Sequence, residues 1–284
     1  HNGQIFPISE NSLSAGQTGL LTGWGVFTTI RVIDRVMFAF ERHFARMKRD
    51  AKLLNVPFPD SSEELEKQLY SLIDANQAWN STLRVSIVRN KGGMFSDPSI
   101  ANPFDVIAFT KDLKDWGEST SLEVVPKTRH ADHIFAGTKM LSWSFNLVLL
   151  ENSMAKGFDE LILLNERGEV SECTSANIFA VFGNQVITPP LSSGCLPGVT
   201  RAILLEELQI PGIELRTKPL LPPDLEEADE IFITSTTRDV LAVRHIEGLS
   251  LKRDSLGPIS ASLLDAYRNY RKLYAENHQR AALV

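Results

Sequence analysis

The chain has 284 residues, 43% of them hydrophobic and 23% charged, and carries a formal net charge of 29 − 35 = −6. So apolar a composition excludes a disordered chain, and the acidic balance excludes a general nucleic-acid binder, which needs a basic face. At about 100–200 residues per domain, the length predicts one large domain or two modest ones. No run reaches the ~18 consecutive apolar residues of a membrane span. The opening, HNGQIFPISENS, lacks the basic-then-apolar layout of a secretory signal. Cys173 and Cys195 make no disulfide framework and read as thiols of a reducing cytoplasm.

In chain order, residues 24–40 (WGVFTTIRVIDRVMFAF) hold two β-rich runs around Ile33-Asp34-Arg35 and predict a hairpin. A helix follows over 41–54, with Phe44, Met47, Ala51 and Leu54 on one face, and Pro57 and Pro59 stop it. Ser61 with Glu64 three residues on is a capping-box signature, opening a helix that carries Leu65, Leu69, Leu72 and Ile73. Strands are expected over 82–89 and 104–110, separated by the Gly92-Gly93 turn. The polar stretch KDWGEST then breaks the apolar pattern. It places a linker over 115–121 between an N-terminal α+β domain of 1–114 and a C-terminal domain of 122–284.

Beyond it, Met140, Trp143, Leu147, Leu150 and Met154 recur with helical spacing and predict a helix closed by Gly157. DELILLN and EVSEC flank Glu166-Arg167-Gly168 as a hairpin, and strands at 177–182 and 185–189 extend the sheet. A helix starts near Val199, after Pro197-Gly198, and a long last helix covers 258–275. The hairpins make this a mixed sheet rather than a doubly wound parallel one.

Generic templates fit poorly. Gly23-Trp24-Gly25 lacks the third glycine and the following helix of a dinucleotide fingerprint, and no Walker loop is present. His130 and His133 have the spacing of two metal ligands on a helix, but no third ligand stands at a suggestive distance, so no metal is expected. Lys139, in HIFAGTKMLSW, stands at the entry to an apolar helix, where partial desolvation would free its amine as a nucleophile for an aldehyde; a snorkelling lysine is the plainer reading. Glu172, in VSECTSANIF, is a carboxylate in a buried-looking strand. It needs a partner there: a protonated pyridine nitrogen, an arginine or backbone amides.

Gly198-Val199-Thr200-Arg201 opens an amphipathic helix whose free N–H groups and threonine hydroxyl suit a phosphate. Ser235-Thr236-Thr237, after the strand EIFIT, is a second hydroxyl-rich turn. Arg42, Arg46 and Arg49 form a stripe opposite the apolar face of their helix and read as solvated. An amine for an aldehyde, an acid for a ring nitrogen and donors for a phosphate are together what pyridoxal 5′-phosphate needs.

In order and spacing the segments KMLSW, GFDELILLNERGEVSECTSANIF, ITPPLSSGCLPGVTR and IFITSTTRDV resemble the class IV aminotransferases, the fold type IV pyridoxal-phosphate enzymes. That family includes branched-chain aminotransferase, D-amino acid aminotransferase and 4-amino-4-deoxychorismate lyase. The likeness runs from Gly23 to Arg244 and implies a two-domain α+β fold, with a smaller N-terminal domain and a larger C-terminal cofactor-binding domain. It further implies that Lys139 forms the Schiff base and shuttles the α-proton, and that Glu172 keeps the pyridine nitrogen protonated. Val199, Thr200, Ser235 and Thr236 would bind the phosphate, joined by Arg46, which the likeness moves from the solvated stripe into the site.

The family's active site lies between two domains and is completed by a second subunit, so the resemblance implies a homodimer. Branched-chain enzymes carry a tyrosine shortly after the lysine and Glu-Gly where this chain has Thr28-Thr29, and both features are missing. Arg31, Arg84 and Arg89 are the candidates for the substrate carboxylate, because a planar fork suits bidentate binding. The expected activity is transfer of an amino group between an amino acid and a 2-oxo acid. The alternatives are a lyase releasing pyruvate and a catalytically silent binding protein on the same scaffold.

Overall fold

The computed structural model describes residues 1–10, 13–94 and 96–279. Two compact units are present. The first comprises His1–Leu113, Thr138–Trp143 and the chain from Leu273 onward; the second comprises Lys114–Gly137 and Ser144–Lys272. Residues 138–143, which the sequence assigned to the domain of 122–284, therefore pack with the first unit, and Lys139 with them.

In the first unit, α1 (Thr18–Thr22) leads into β1 (Gly25–Ile33), which turns at Asp34-Arg35 into the short β2 (Val36–Met37). Then come α2 (Phe40–Leu53), α3 (Ser62–Ala75), β3 (Ser81–Arg89) and β4 (Phe104–Lys111). The strands form one sheet in the order β2-β1-β3-β4, antiparallel throughout, with Thr29 opposite Arg84. Period-two alternation sends Val26, Ile30 and Val32 of β1 and Leu83, Val85 and Ile87 of β3 to one face. There they pack with Met47 and Ala51 of α2 and Leu65, Leu69 and Ile73 of α3. Phe27, Thr29, Arg31 and Arg84 consequently belong to the opposite face. The expected cap of α3 is present, as Ser61 Oγ accepts from the Glu64 N–H at 3.0 Å.

The second unit contains β5 (Ser119–Val125), α4 (Ser144–Ala155), β6 (Glu160–Leu164), β7 (Val170–Cys173), β8 (Asn177–Phe182) and β9 (Gln185–Thr188). These are followed by α5 (Val199–Glu206), β10 (Glu214–Thr217), α6 (Pro222–Glu227), β11 (Glu230–Ser235), β12 (Asp239–Ile246) and α7 (Pro258–Asn277), whose residues beyond Lys272 group with the first unit. Its eight-stranded sheet has the order β10-β9-β8-β11-β12-β5-β6-β7. The pairs β10/β9, β12/β5 and β5/β6 are parallel and the rest antiparallel, a mixed sheet as the hairpins predicted. Leu122, Ile162, Ile178, Ile231, Ile233, Leu241 and Val243 fill one continuous core.

Two sequence expectations change. Ser119, Thr120 and Ser121, expected in the linker, open strand β5. The helix expected from the Met140–Met154 periodicity begins only at Ser144. Met140 is instead in an antiparallel bridge with Val26, because Phe27 N–H donates to Lys139 O (3.0 Å) and Leu141 N–H to Gly25 O (2.9 Å). Those backbone bonds hold 139–141 extended against β1 and override the helical pattern.

Candidate active site

Lys139 is half-buried on that extended segment, not at a helix entry. Its N–H donates to Asp50 Oδ2 at 3.0 Å, and its carbonyl accepts from Phe27, so the backbone is clamped from both sides. The Nζ lies 4.6 Å from the centroid of the Phe27 ring, over which Arg84 also places its guanidinium at 3.3 Å. Trp143 meets the same ring edge-on at 6.3 Å. Such cation–π geometry holds both cations against one aromatic face.

Arg46 does not belong to a solvated stripe. It is on α2 at i+3 from the fully buried His43, and its Nη2 donates to Thr28 Oγ1 at 2.9 Å. Thr28 Oγ1 stands 2.7 Å from His43 Nδ1. Burial, reinforced by the charges of Arg46 and Lys139, pushes the His43 pKa well below its usual value and keeps the ring neutral. Burial also brings the Arg46 guanidinium down to about 10, with Asp50 opposing that shift.

Of the three carboxylate candidates, Arg89 is committed elsewhere. Its guanidinium stacks on Trp24 at 4.3 Å and donates to the carbonyls of Lys91 and Asn55. Arg31 is half-buried on β1, opposite Thr82. Arg84 is brought down to about 10 by burial, and its one hydrogen bond among the described residues is a long one, 3.5 Å, to Thr29 Oγ1.

In the second unit Glu172 is 9% exposed. Arg129 Nε donates to its Oε1 at 3.2 Å and the Leu196 N–H to its Oε2 at 2.9 Å. Asn146 Oδ1 in turn receives both terminal nitrogens of Arg129, at 3.1 and 3.2 Å. The buried carboxylate thus has an arginine and an amide as partners, two of the options the sequence left open. Each oxygen retains acceptor capacity for a further donor. Nothing in KTRHADH marks Arg129 as this partner, since the contact spans 43 positions of sequence.

Leu196 also links Glu172 to the start of α5, where Val199 and Thr200 are buried. The first helical bond there is Ala202 N–H to Gly198 O, so the N–H groups of Val199, Thr200 and Arg201 precede it. Thr200 Oγ1 is steadied by the Tyr267 hydroxyl at 3.2 Å. Asn177 donates to Leu196 O at 2.9 Å and lies so close to Gly198 that a Cβ there would collide with its Oδ1. Asn177 also pairs with Thr234 in the β8/β11 register, so the Ser235-Thr236 turn and the α5 N-terminus meet at one end of the sheet.

Helix N–H groups, two hydroxyl-bearing turns and a glycine cradle fit a phosphate, and the buried Glu172 fits the ring nitrogen of pyridoxal phosphate. Among the described residues, no group of three His, Cys, Asp or Glu side chains, around His130 and His133 or elsewhere, converges in a way that could hold an ion.

Comparison with known proteins agrees. The profile of the family amino-transferase class IV matches residues 25–246. A D-alanine aminotransferase of Bacillus licheniformis is 27% identical over 272 residues, covering 94% of this chain and 95% of its own. The branched-chain-amino-acid aminotransferase of Escherichia coli K12 is 27% identical over 283 residues, covering 94% and 90%. A crystal structure of branched-chain amino acid aminotransferase from Escherichia coli superposes with a TM-score of 0.85 at 26% identity, covering 95% of this chain and 92% of that one. The chain belongs to the class IV aminotransferases. It has the fold type IV architecture, and its family is pyridoxal-phosphate-dependent and transfers amino groups.

Proposed function

We propose that this protein is a transaminase in which Lys139 is the amine that engages pyridoxal phosphate and moves the substrate's α-proton. The observation that carries this reading is the placement of Lys139, whose backbone is clamped by Asp50 and Phe27 and whose Nζ lies over the Phe27 ring beside the Arg84 guanidinium. When bound, the cofactor supplies an aldehyde and an electron-accepting ring. Glu172, paired with Arg129, would hold the proton on the ring nitrogen. Val199, Thr200, Ser235, Thr236 and Arg46 are the residues that would bind the phosphate. Lys139 Nζ then acts as general base and general acid at the substrate α-carbon.

Arg84 takes the substrate carboxylate. Its guanidinium shares the Phe27 ring with Lys139 and keeps most of its donor fork available, whereas Arg89 is tied to Asn55 and Lys91. The working form is a homodimer, supported by the apolar residues that α4 leaves on its surface. Phe145 is 55%, Leu147 46%, Val148 54% and Met154 59% exposed. A cytoplasmic setting agrees with two free, buried cysteines. No described helix is long and apolar enough to cross a membrane.

Borohydride reduction of the cofactor-loaded protein, followed by peptide mass spectrometry, tests the assignment. The phosphopyridoxyl group is expected on Lys139. Finding it on another lysine, or nowhere, removes Lys139 from this role.

A further inference from the structure

Arg238 closes the hairpin between β11 and β12, three residues after Ser235 in the sequence. Its guanidinium is almost wholly buried, with 5% side-chain exposure, and pairs at 3.2 Å with Glu160, whose side chain is 1% exposed. Trp116 covers it at 3.6 Å. Glu160 is in turn saturated by the Thr174 N–H and hydroxyl and by Ser175 Oγ, which donates to its Oε2 at 2.6 Å. Ser175 then accepts from Arg238 Nη1 at 3.0 Å. The result is a closed polar knot at the edge of the ECTSAN segment.

What this knot does to Ser235 goes beyond holding the fold. The Arg238 N–H donates to Ser235 Oγ at 3.2 Å, and Arg238 Nη1 reaches the same oxygen at 3.5 Å. A serine hydroxyl has two acceptor positions and one proton. With both acceptor positions facing Arg238, the proton is directed away from the knot.

We propose that Arg238 is a positioning residue that aims the Ser235 hydroxyl proton at the phosphate of the bound cofactor. This rests on the reading of Ser235 as a phosphate contact. Glu160 and Ser175 hold the guanidinium in the one orientation that does so, and Arg238 itself does not touch the cofactor. Such a network is worth more complete than in parts, because each member fixes the next.

The test compares the affinity of apoprotein for pyridoxal phosphate with its affinity for pyridoxal, which lacks the phosphate. Loss of one hydrogen bond to a charged group, as in Ser235→Ala, lowers the preference for the phosphorylated form by about tenfold. Arg238→Gln is expected to lower it to a similar extent and to have no additional effect in the Ser235→Ala background, since both changes remove one shared interaction. Arg238→Gln leaves the buried Glu160 without its counter-charge, so two further variants separate positioning from folding. Glu160→Gln/Arg238→Gln removes both charges together, and Ser175→Ala loosens the guanidinium while keeping the ion pair. Each is expected to lower the same preference.

A purely structural knot would weaken both ligands equally or lower only the melting temperature, and either result overturns the proposal. Additive losses in the double variant also overturn it. Should the wild-type protein show no preference for the phosphorylated form, the phosphate reading of Ser235 itself falls. Should Ser235→Ala lower the preference while the Arg238 and Ser175 variants do not, only the positioning role falls.

Discussion

His43 and Arg84 each turn burial into a measurable consequence. His43 has its imidazole enclosed beside Arg46 and Lys139 and stays neutral in the folded chain. The unfolded chain takes up a proton at this ring near about pH 6.5, one that the folded chain refuses. The unfolded state therefore binds more protons in acid, and stability is full above that pH and declines as the pH falls through it. Denaturant melts between about pH 7.5 and about pH 5.5 should show this slope, and His43→Gln should flatten it. An unchanged slope in the variant would mean that another group is responsible. For Arg84, partial desolvation and a single weak internal bond leave a fork ready for a carboxylate. Arg84→Gln is expected to raise KM for the amino acid about tenfold or more with a smaller change in kcat, the loss of one charge-assisted contact. An unaltered KM would return Arg31 to consideration.

Elements whose residues pack against their own sheet were the most legible. The alternation in TLRVSIVR and the helical recurrence around Leu65, Leu69 and Ile73 both reflect one shared apolar layer, so pattern and burial agree. The capping residue Ser61 and the helix start at Val199 were equally plain, because caps are local chemistry. The segment before α4 was not legible in this way. Its apolar spacing is helical, yet strand β1 captures residues 139–141 through backbone bonds that leave no trace in side-chain identity. Arg129, Arg238 and Tyr267 were missed for a related reason, since each acts through partners distant in sequence.

The same helix α4 yields a prediction. Its Leu147 and Val148 fit the predicted apolar stripe only in part, and the structure leaves both substantially exposed. A cluster of that kind on one helix suits a surface that meets a partner, and the proposed dimer would use it. Leu147→Glu/Val148→Glu should convert a dimer to single chains in light scattering after gel filtration. A wild-type protein that already runs as one chain would contradict the dimer outright.

At the scale of the whole molecule, an acidic chain gathers Arg84, Lys139 and Arg46 in its first unit, and its second holds the buried Glu172 carboxylate and the hydroxyl-bearing turns of the proposed phosphate contacts. The mixed eight-stranded sheet matters here because it brings the ends of β8 and β11 together with the start of α5, which no single hairpin could do. Whether the proposed residues carry out amino transfer is decided by a half-reaction. The cofactor-loaded protein is mixed with one amino donor at a time, without any 2-oxo acid acceptor, and the oxo acid released is counted. Amino transfer predicts release of one oxo acid per active site, together with bleaching of the yellow cofactor band. Continued release of pyruvate from aminodeoxychorismate, with the band returning after each turnover, would contradict it and make the protein a lyase.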